Sequence, residues 1–376
     1  MPVDFVSLDA QASKEMRLLE TKVPTLSLRN HFEFGFSNDG APRGVPFSFR
    51  DSPSDRWFVR YGQCERMPLS FHDECVETAR RIRDNTSLPI DVYFSGGIDS
   101  EVAMRSFVEA GIPIRVFCLK FENDLNAHDV AWAEKVCGQL GLPLKYVEID
   151  ILKFWENEAW DYALRTQCVS PQLLSTMWLS DQTDGFAVLG SGENFIVKRV
   201  PADYESGHSP YLRSIWDLFE KEKIASWYRH FIVRGRDAAP GFFQYSPELM
   251  LSWFLDELGC GLWNDRILGK RNSVSSKYNF YRRHFPIEQR PKYTGFELIQ
   301  DEDARFRREL RTKFDNCDHI VLSPVPTLIR QMLPENSKGL ERRFTTPFVN
   351  ETWREELSLS GPMPPVTLVD GRIFYK

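Results

Sequence analysis

Between residues 89 and 190, short apolar runs alternate with longer segments of helical period. "PIDVYF" (89–94), "IRVFCLKF" (114–121), "LKYVEID" (144–150) and "FAVLG" (186–190) read as buried strands. Helices fall between the first three: "DSEVAMRSFVEAG", ended by Gly111, and "AHDVAWAEKVCGQLG" (127–141), closed by Gly138 and Gly141. Strands joined by helices at this spacing predict an α/β fold with a parallel, doubly wound sheet. An amphipathic helix over 70–86 leads into it, with Ser70 as N-cap and Cys75, Ala79 and Ile82 sharing one face.

The flanks have a different character. Residues 31–62 ("HFEFGFSNDG", "PFSFRD", "RWFVRYG") predict a short β meander. From about 208 the pattern turns helical, through "YLRSIWDLFEKEKIASWYRHFIV" and "SPELMLSWFLDELG" to "LIQDEDARFRRELRTKF", with a basic, aromatic stretch at 269–297. The tail from about 320 is Pro-rich and extended, and "VTLVDGRIFYK" predicts a closing hairpin. The expected organisation is a small β-rich domain over 1–69, the sheet domain with its helical C-terminal part over 70–320, and a tail over 321–376.

Composition narrows the function. A formal net charge of −6 argues against a general nucleic-acid or anionic-membrane binder. No apolar run is long enough to span a bilayer, and "MPVDFVSLDAQASKEMRLLE" lacks the apolar centre of a signal peptide. The seven cysteines form no C-x-x-C pair, which fits free thiols in a reducing cytoplasm better than disulfides or zinc. The seven histidines form no H-x-x-x-H or HExxH pattern.

The first strand empties into "FSGGIDS". Consecutive glycines let a backbone approach an anion closely, and the helix that follows offers free N–H groups. Ser95 and Ser100 add hydroxyl donors, and Asp99 supplies a carboxylate able to hold Mg²⁺ on phosphates. No Gly-Lys-Ser/Thr follows, and G-x-G-x-x-G is absent. A second glycine-rich turn, Gly190, Ser191 and Gly192, ends the fourth strand. On such sheets ligands bind beyond the carboxyl ends of the strands, so the two turns are expected to face one ligand.

The S-G-G-x-D-S spacing after a strand resembles the PP-loop of the ATP pyrophosphatases, and the chain over roughly 70–297 resembles the synthetase domain of asparagine synthetase. "FENDLNAHDVAWAEKVCGQLGLPLKYVEID", "FAVLGSGENF", "RDAAPGFFQYSPELMLSWF" and "KYNFYRRHFPIEQRPKYTGFE" stand where that family has its later motifs. The resemblance implies an adenine nucleotide alpha hydrolase-like fold and an ATP- and Mg²⁺-dependent ligase. In that chemistry a small-molecule or peptide carboxylate attacks the α-phosphate, and ammonia or an amine then displaces AMP to form an amide. It further implies that Ser95, Gly96, Gly97 and Ser100 hold pyrophosphate and that Asp99 binds the metal. Backbone at Phe94, Cys118 and Leu119 would frame the adenine.

The chain departs from the family in three places. The family's glutaminase nucleophile follows Met1, whereas Pro2 stands here with only about 70 residues before the synthetase-like part. The expected nitrogen source is therefore ammonia, a substrate amine or a partner's product. The acidic motif reads "SGENFIVKR", leaving Glu193 as candidate second metal ligand; the other reading is a helix cap beside a degenerate metal site, with Asp203 and Glu205 close enough in sequence to substitute but unsupported by their spacing. Lys292 precedes Gly-Phe with one extra residue between, and is the candidate catalytic lysine, with Lys277 and Arg290 as understudies. A charge run of this kind also fits a solvated face.

Asp129, beside His128, reads as a helix cap, Cys118 as core, and Tyr204 and Tyr245 as minor candidates for deprotonating an amine. Two other functions share the loop. One is a PP-loop enzyme modifying a nucleobase or tRNA, which only the basic stretch "KRNSVSSKYNFYRRHFPIEQRPK" favours; the other is an ATP-binding sensor or partner subunit without turnover. The N-terminal part and the tail are candidates for an acceptor pocket, a lid or a homodimer interface.

Overall fold

In the computed structural model, residues 62–166, 168–192, 226–253, 277–291, 293–313 and 332–334 are described in full. The backbone alone is described for 32–37, 47–48, 56–61, 219–225, 254–259, 273–276, 367–369 and 372–374. The first three strands are β1 (Phe32–Ser37), β2 (Phe47–Ser48) and β3 (Arg56–Tyr61). β3 runs antiparallel to β1, but β2 runs parallel to it, giving the order β2-β1-β3. The expected meander is thus replaced by a sheet centred on β1. The predicted closing hairpin forms from β9 (Thr367–Val369) and β10 (Arg372–Phe374).

Helix α1 (Phe71–Asp84) starts where expected: the Ser70 hydroxyl accepts the Asp73 amide at 3.1 Å. Its buried side includes Phe71, Cys75, Ala79 and Ile82. The chain then alternates β4 (Ile90–Tyr93), α2 (Ile98–Glu109), β5 (Ile114–Phe121), α3 (Ala127–Leu140) and β6 (Leu144–Ile149). Gly111 and Gly141 lie just past α2 and α3 with φ of +69° and +64°, a left-handed conformation that a side chain would strain. Gly138 lies inside α3.

Three short helices, α4 (Ile151–Glu156), α5 (Ala159–Thr166) and α6 (Pro171–Asp181), carry the chain back to β7 (Phe186–Leu189). After α7 (Phe219–Arg234), the two-residue β8 (Ala238–Ala239) completes the sheet. All four pairings are parallel and the order is β6-β5-β4-β7-β8. Helices α8 (Pro247–Gly259), α9 (Ser273–Tyr281) and α10 (Gln300–Lys313) follow.

Strand alternation divides the core into two layers. Ile90, Val92, Phe94, Val116, Cys118, Phe186 and Val188 pack with α1, α2, α3, α8 and α9. Tyr93, Phe117, Phe121, Ala187 and Leu189 pack with α4, α5, α6, α7 and α10 on the other face. The sheet is therefore doubly wound, as the sequence predicts. Met332 and Leu333, within the expected tail, are buried in the second layer. Their carbonyls accept the Cys64 amide at 2.8 Å and the Gln63 side-chain amide at 2.9 Å. Cys64, Cys75, Cys118 and Cys137 are free thiols, and like Cys168 they are buried. No helix among the described residues is long and apolar enough to cross a membrane.

Candidate functional site

The chain leaves β4 to one side for β5 and β6, then returns to the other for β7, so the winding reverses between β4 and β7. In doubly wound sheets ligands bind beyond the strand ends at such a reversal. Both glycine-rich turns lie there. At Gly190 a Cβ would fall 2.4 Å from the Ser100 Cα, so the second turn packs directly on the first turn of α2. The turn is held from behind by the Gln244 side chain, which donates to the Gly192 carbonyl at 2.8 Å, and by the Phe243 amide, which donates to the Ser191 carbonyl at 3.3 Å.

The two loop glycines do different jobs. Gly96 has φ +75°, and a Cβ there would sit 2.2 Å from the Asp129 carbonyl oxygen; backbone geometry and space both demand glycine. At Gly97 the nearest atoms to a Cβ are the Ser95 and Ser100 hydroxyl oxygens, at 3.3 and 3.7 Å. A side chain there would fill the hollow where those hydroxyls converge. The hydroxyls are 3.2 Å apart, and Ser100 Oγ donates to the Gly97 carbonyl at 3.0 Å. A concavity of this kind at a helix N-terminus favours an anion.

Asp99 opens α2 beside that hollow. Its Oδ2 accepts from Lys277 Nζ at 2.7 Å, and its Oδ1 from the Tyr281 hydroxyl at 2.6 Å. Lys277 and Tyr281 are one turn apart on α9, so one helical face delivers both. The lysine side chain is 8% exposed, which sets its charge in a largely dry place against the carboxylate. Among the described residues no group of three His, Cys, Asp or Glu could hold a metal. The donors present, one carboxylate and two hydroxyls, suit a Mg²⁺ that arrives on phosphates and keeps its waters, not a protein-built cage.

Of the other expected site residues, Glu193 and Lys292 lie outside the described residues, as do Asp203, Tyr204 and Glu205. Arg290 donates to Glu101 Oε2 at 2.5 Å and lies over the Trp132 ring; Glu101 also accepts from Arg105 at 2.7 Å. It ties the 290–297 segment to α2 and α3. Tyr245 accepts from the Asn85 side chain at 3.0 Å.

A cleft enclosing about 530 Å³, part of it open to solvent, runs from Ser95 along the ends of β4 and β5. Phe94 and Cys118 line it although their side chains are buried in the opposite layer, so they meet it through backbone. β4 ends at Tyr93, opposite Phe117, while β5 continues beside β6 to Phe121. Beyond the Phe94 amide, which donates to the Phe117 carbonyl at 2.8 Å, the β4 side of residues 118–121 has no strand partner. Asn126 shapes this rim: its side chain accepts the Phe121 amide and donates to the Leu119 carbonyl, both at 2.8 Å.

Gln172, Ser175, Thr176 and Leu179 of α6 form the far wall, and Thr294, Gly295 and Phe296 the lip. Phe296 stacks on Phe121 with ring centroids 5.8 Å apart. Asp129 lies in the first turn of α3, and it is Asn126 that takes the N-cap position. Burial, helped by nearby Glu297 and opposed by Arg290, pushes the Asp129 carboxyl up to about 7. The sequence reading missed Tyr281, Asn126 and the lip. Only the Lys277–Tyr281 spacing, i and i+4 in a helix, carried a readable signal.

No family model matches this chain, and no curated protein matches it. Among solved structures, NMN synthetase from Francisella tularensis matches at 14% identity, over 59% of this chain and 98% of that one, with a TM-score of 0.27. A superposition at that score is too loose to bear on chemistry. The sheet's own topology is what places the chain among doubly wound α/β folds.

Proposed function

We propose that this chain is an ATP-dependent ligase of the PP-loop type, which adenylates a carboxylate with release of pyrophosphate and joins the acyl group to ammonia or an amine. The observation that carries the reading is the convergence of three things at the reversal of the sheet. They are the glycine hollow lined by Ser95 and Ser100, the Asp99–Lys277–Tyr281 cluster beside it, and the cleft that leads away to the edge of β5 beyond the end of β4.

In this scheme the β- and γ-phosphates occupy the hollow, held by the loop amides and the two serine hydroxyls. The β5 backbone at Cys118 and Leu119, beyond the end of β4, takes the edge of the base, and Phe94 frames it. A substrate carboxylate oxygen attacks the α-phosphorus, the bond to the β-phosphate oxygen breaks, and pyrophosphate leaves with that electron pair. The amine then attacks the acyl carbon and loses a proton, and AMP departs. Asp99, with Glu193 as the second candidate, would hold Mg²⁺, which supplies neutralising charge on the phosphates. Lys277 and Lys292 are the cationic side chains assigned to stabilise phosphate charge as it shifts to the leaving group.

The test uses ATP labelled at the α-phosphate, Mg²⁺ and a small-molecule extract of the source cells. Labelled AMP that forms with the native protein and not with Asp99→Ala supports the reading, and fractionating the extract then leads to the carboxylate. Labelled ADP in its place would overturn it.

A further inference from the structure

Asp129 is the one carboxyl group in the wall of the cleft, and no Lys, Arg or His stands with it among the described residues of that wall. Its position is fixed on two sides. Its carbonyl oxygen abuts Gly96, the first glycine of the anion loop. Its Oδ2 faces Gly295, close enough that a Cβ on that glycine would sit 3.1 Å away. With φ +83°, Gly295 is glycine for two reasons, and one of them is to leave this oxygen room. No described side chain or amide hydrogen-bonds the carboxylate. The charges that face it are Glu297 from the lip and Arg290, which is already paired with Glu101.

A nucleoside triphosphate lying along the cleft has three parts in a fixed order. If the phosphates sit at Ser95–Ser100 and the base edge at Cys118–Leu119, the part between them is the sugar. Asp129 stands between those two regions, at the phosphate end. Two neighbouring hydroxyls are the ligand chemistry that suits a poorly solvated carboxyl group, because they supply the donors that the protein does not. Burial that pushes this carboxyl up to about 7 is the sign of that unmet need.

We infer that Asp129 reads the sugar of the nucleotide, accepting hydrogen bonds from the ribose 2′- and 3′-hydroxyls and so selecting ribonucleotides over deoxyribonucleotides. The inference rests on the proposed ATP site. It assigns Asp129 a binding role in place of the helix cap expected from the sequence. It also explains why α3 begins against the anion loop: the same residue that sets Gly96 by its backbone sets the sugar by its side chain.

The experiment measures equilibrium binding of ATP, 2′-deoxy-ATP, 3′-deoxy-ATP and ITP to the native full-length chain, Asp129→Asn and Asp129→Ala. The expected result is that native protein binds ATP about tenfold or more tightly than either deoxy analogue, the scale of one hydrogen bond to a charged group. In Asp129→Ala, ATP weakens to the level of the deoxy analogues while those analogues change little, and the ATP-to-ITP ratio stays as in the native protein. Asp129→Asn, which keeps one acceptor oxygen and the shape, falls between and decides the matter should the alanine variant fail to fold. An unchanged ATP-to-deoxy ratio in both variants overturns the inference and leaves the ligase reading standing. A change confined to the ATP-to-ITP ratio also overturns it, since Asp129 would then be reading the base. No binding of any nucleotide by the native protein, with or without Mg²⁺, removes the ATP site itself and this assignment with it.

Discussion

Replacing Asp129 by asparagine isolates the cost of holding that carboxyl in the cleft wall. The folded protein keeps its proton to about pH 7, whereas the ordinary value is 3.8. Below pH 4 both the folded and the unfolded chain hold the proton, and the site costs nothing. As pH rises, the unfolded chain releases the proton first, so the folded state binds more protons and stability falls through the window from 3.8 to about 7. Three decades at about 1.4 kcal/mol each give roughly 4 kcal/mol. Partial exposure of the side chain to solvent reduces this to about 2 kcal/mol. Asparagine keeps the shape and never ionises.

The assay is urea unfolding of both proteins, without nucleotide, at pH 4.5, 6, 7.5 and 8.5. The advantage of Asp129→Asn should be smallest at pH 4.5, grow to about 2 kcal/mol by pH 7.5 and then level off. His230 titrates in the opposite sense. It is buried, its imidazole is pushed down to about 4, and it withdraws stability as pH falls from 6.5. That contribution is common to both proteins and drops out of the difference. A difference that is flat across the range, or that shrinks as pH rises, would refute the assignment of burial as the cause.

Gly97→Ala should melt within a few degrees of the native protein yet lose nucleotide binding, because its methyl group enters the hollow; calorimetry paired with a binding titration checks both halves. Gly190→Ala should lower the melting temperature as well, since its Cβ meets the backbone of Ser100 and no flexible side chain can give way. Lys277→Met should reduce AMP formation by about 10² or more, and Tyr281→Phe by less, with the gap read from initial rates at saturating ATP. Asn126→Ala leaves the buried Phe121 amide unpaired and takes one donor from the Leu119 carbonyl, and should cost about 2 kcal/mol in chemical denaturation.

The strands that matter were legible because each is covered on both faces and therefore reads as an apolar run, as with Ile90, Val92 and Phe186. The loop was legible for a different reason: its chemistry is local, so two glycines, two serines and Asp99 lie within six residues. What stayed hidden depends on distant segments meeting. Ala238 and Ala239 pair with β7 but carry no pattern of their own, and β2 joins β1 over two residues only. The short helices between 151 and 181 bury Phe154, Trp155 and Leu174 without a long period to announce them. Tyr281 reaches Asp99 across 182 positions, and Asp129 gains its character from the Gly295 turn, which no spacing in the sequence indicates.

The strand order also sets the conditions under which this chain is synthesised. β4 leaves the ribosome first among the five strands of the main sheet yet ends in its middle. β5 and β6 can join it on one side at once, but the opposite edge stays open until β7 has emerged, roughly 100 residues later. At about 5–20 residues per second that is an interval of roughly 5–20 s. Throughout it the β7 edge of β4 stays unpaired, first alone and then within a three-strand sheet, while Tyr93, Phe117 and Phe121 await cover from α6, α7 and α10. Met332 and Leu333 close that layer later still. Slow translation would prolong the exposure, so a chaperone that shields the open edge should raise the yield of folded protein more than the stability of the finished fold alone would suggest.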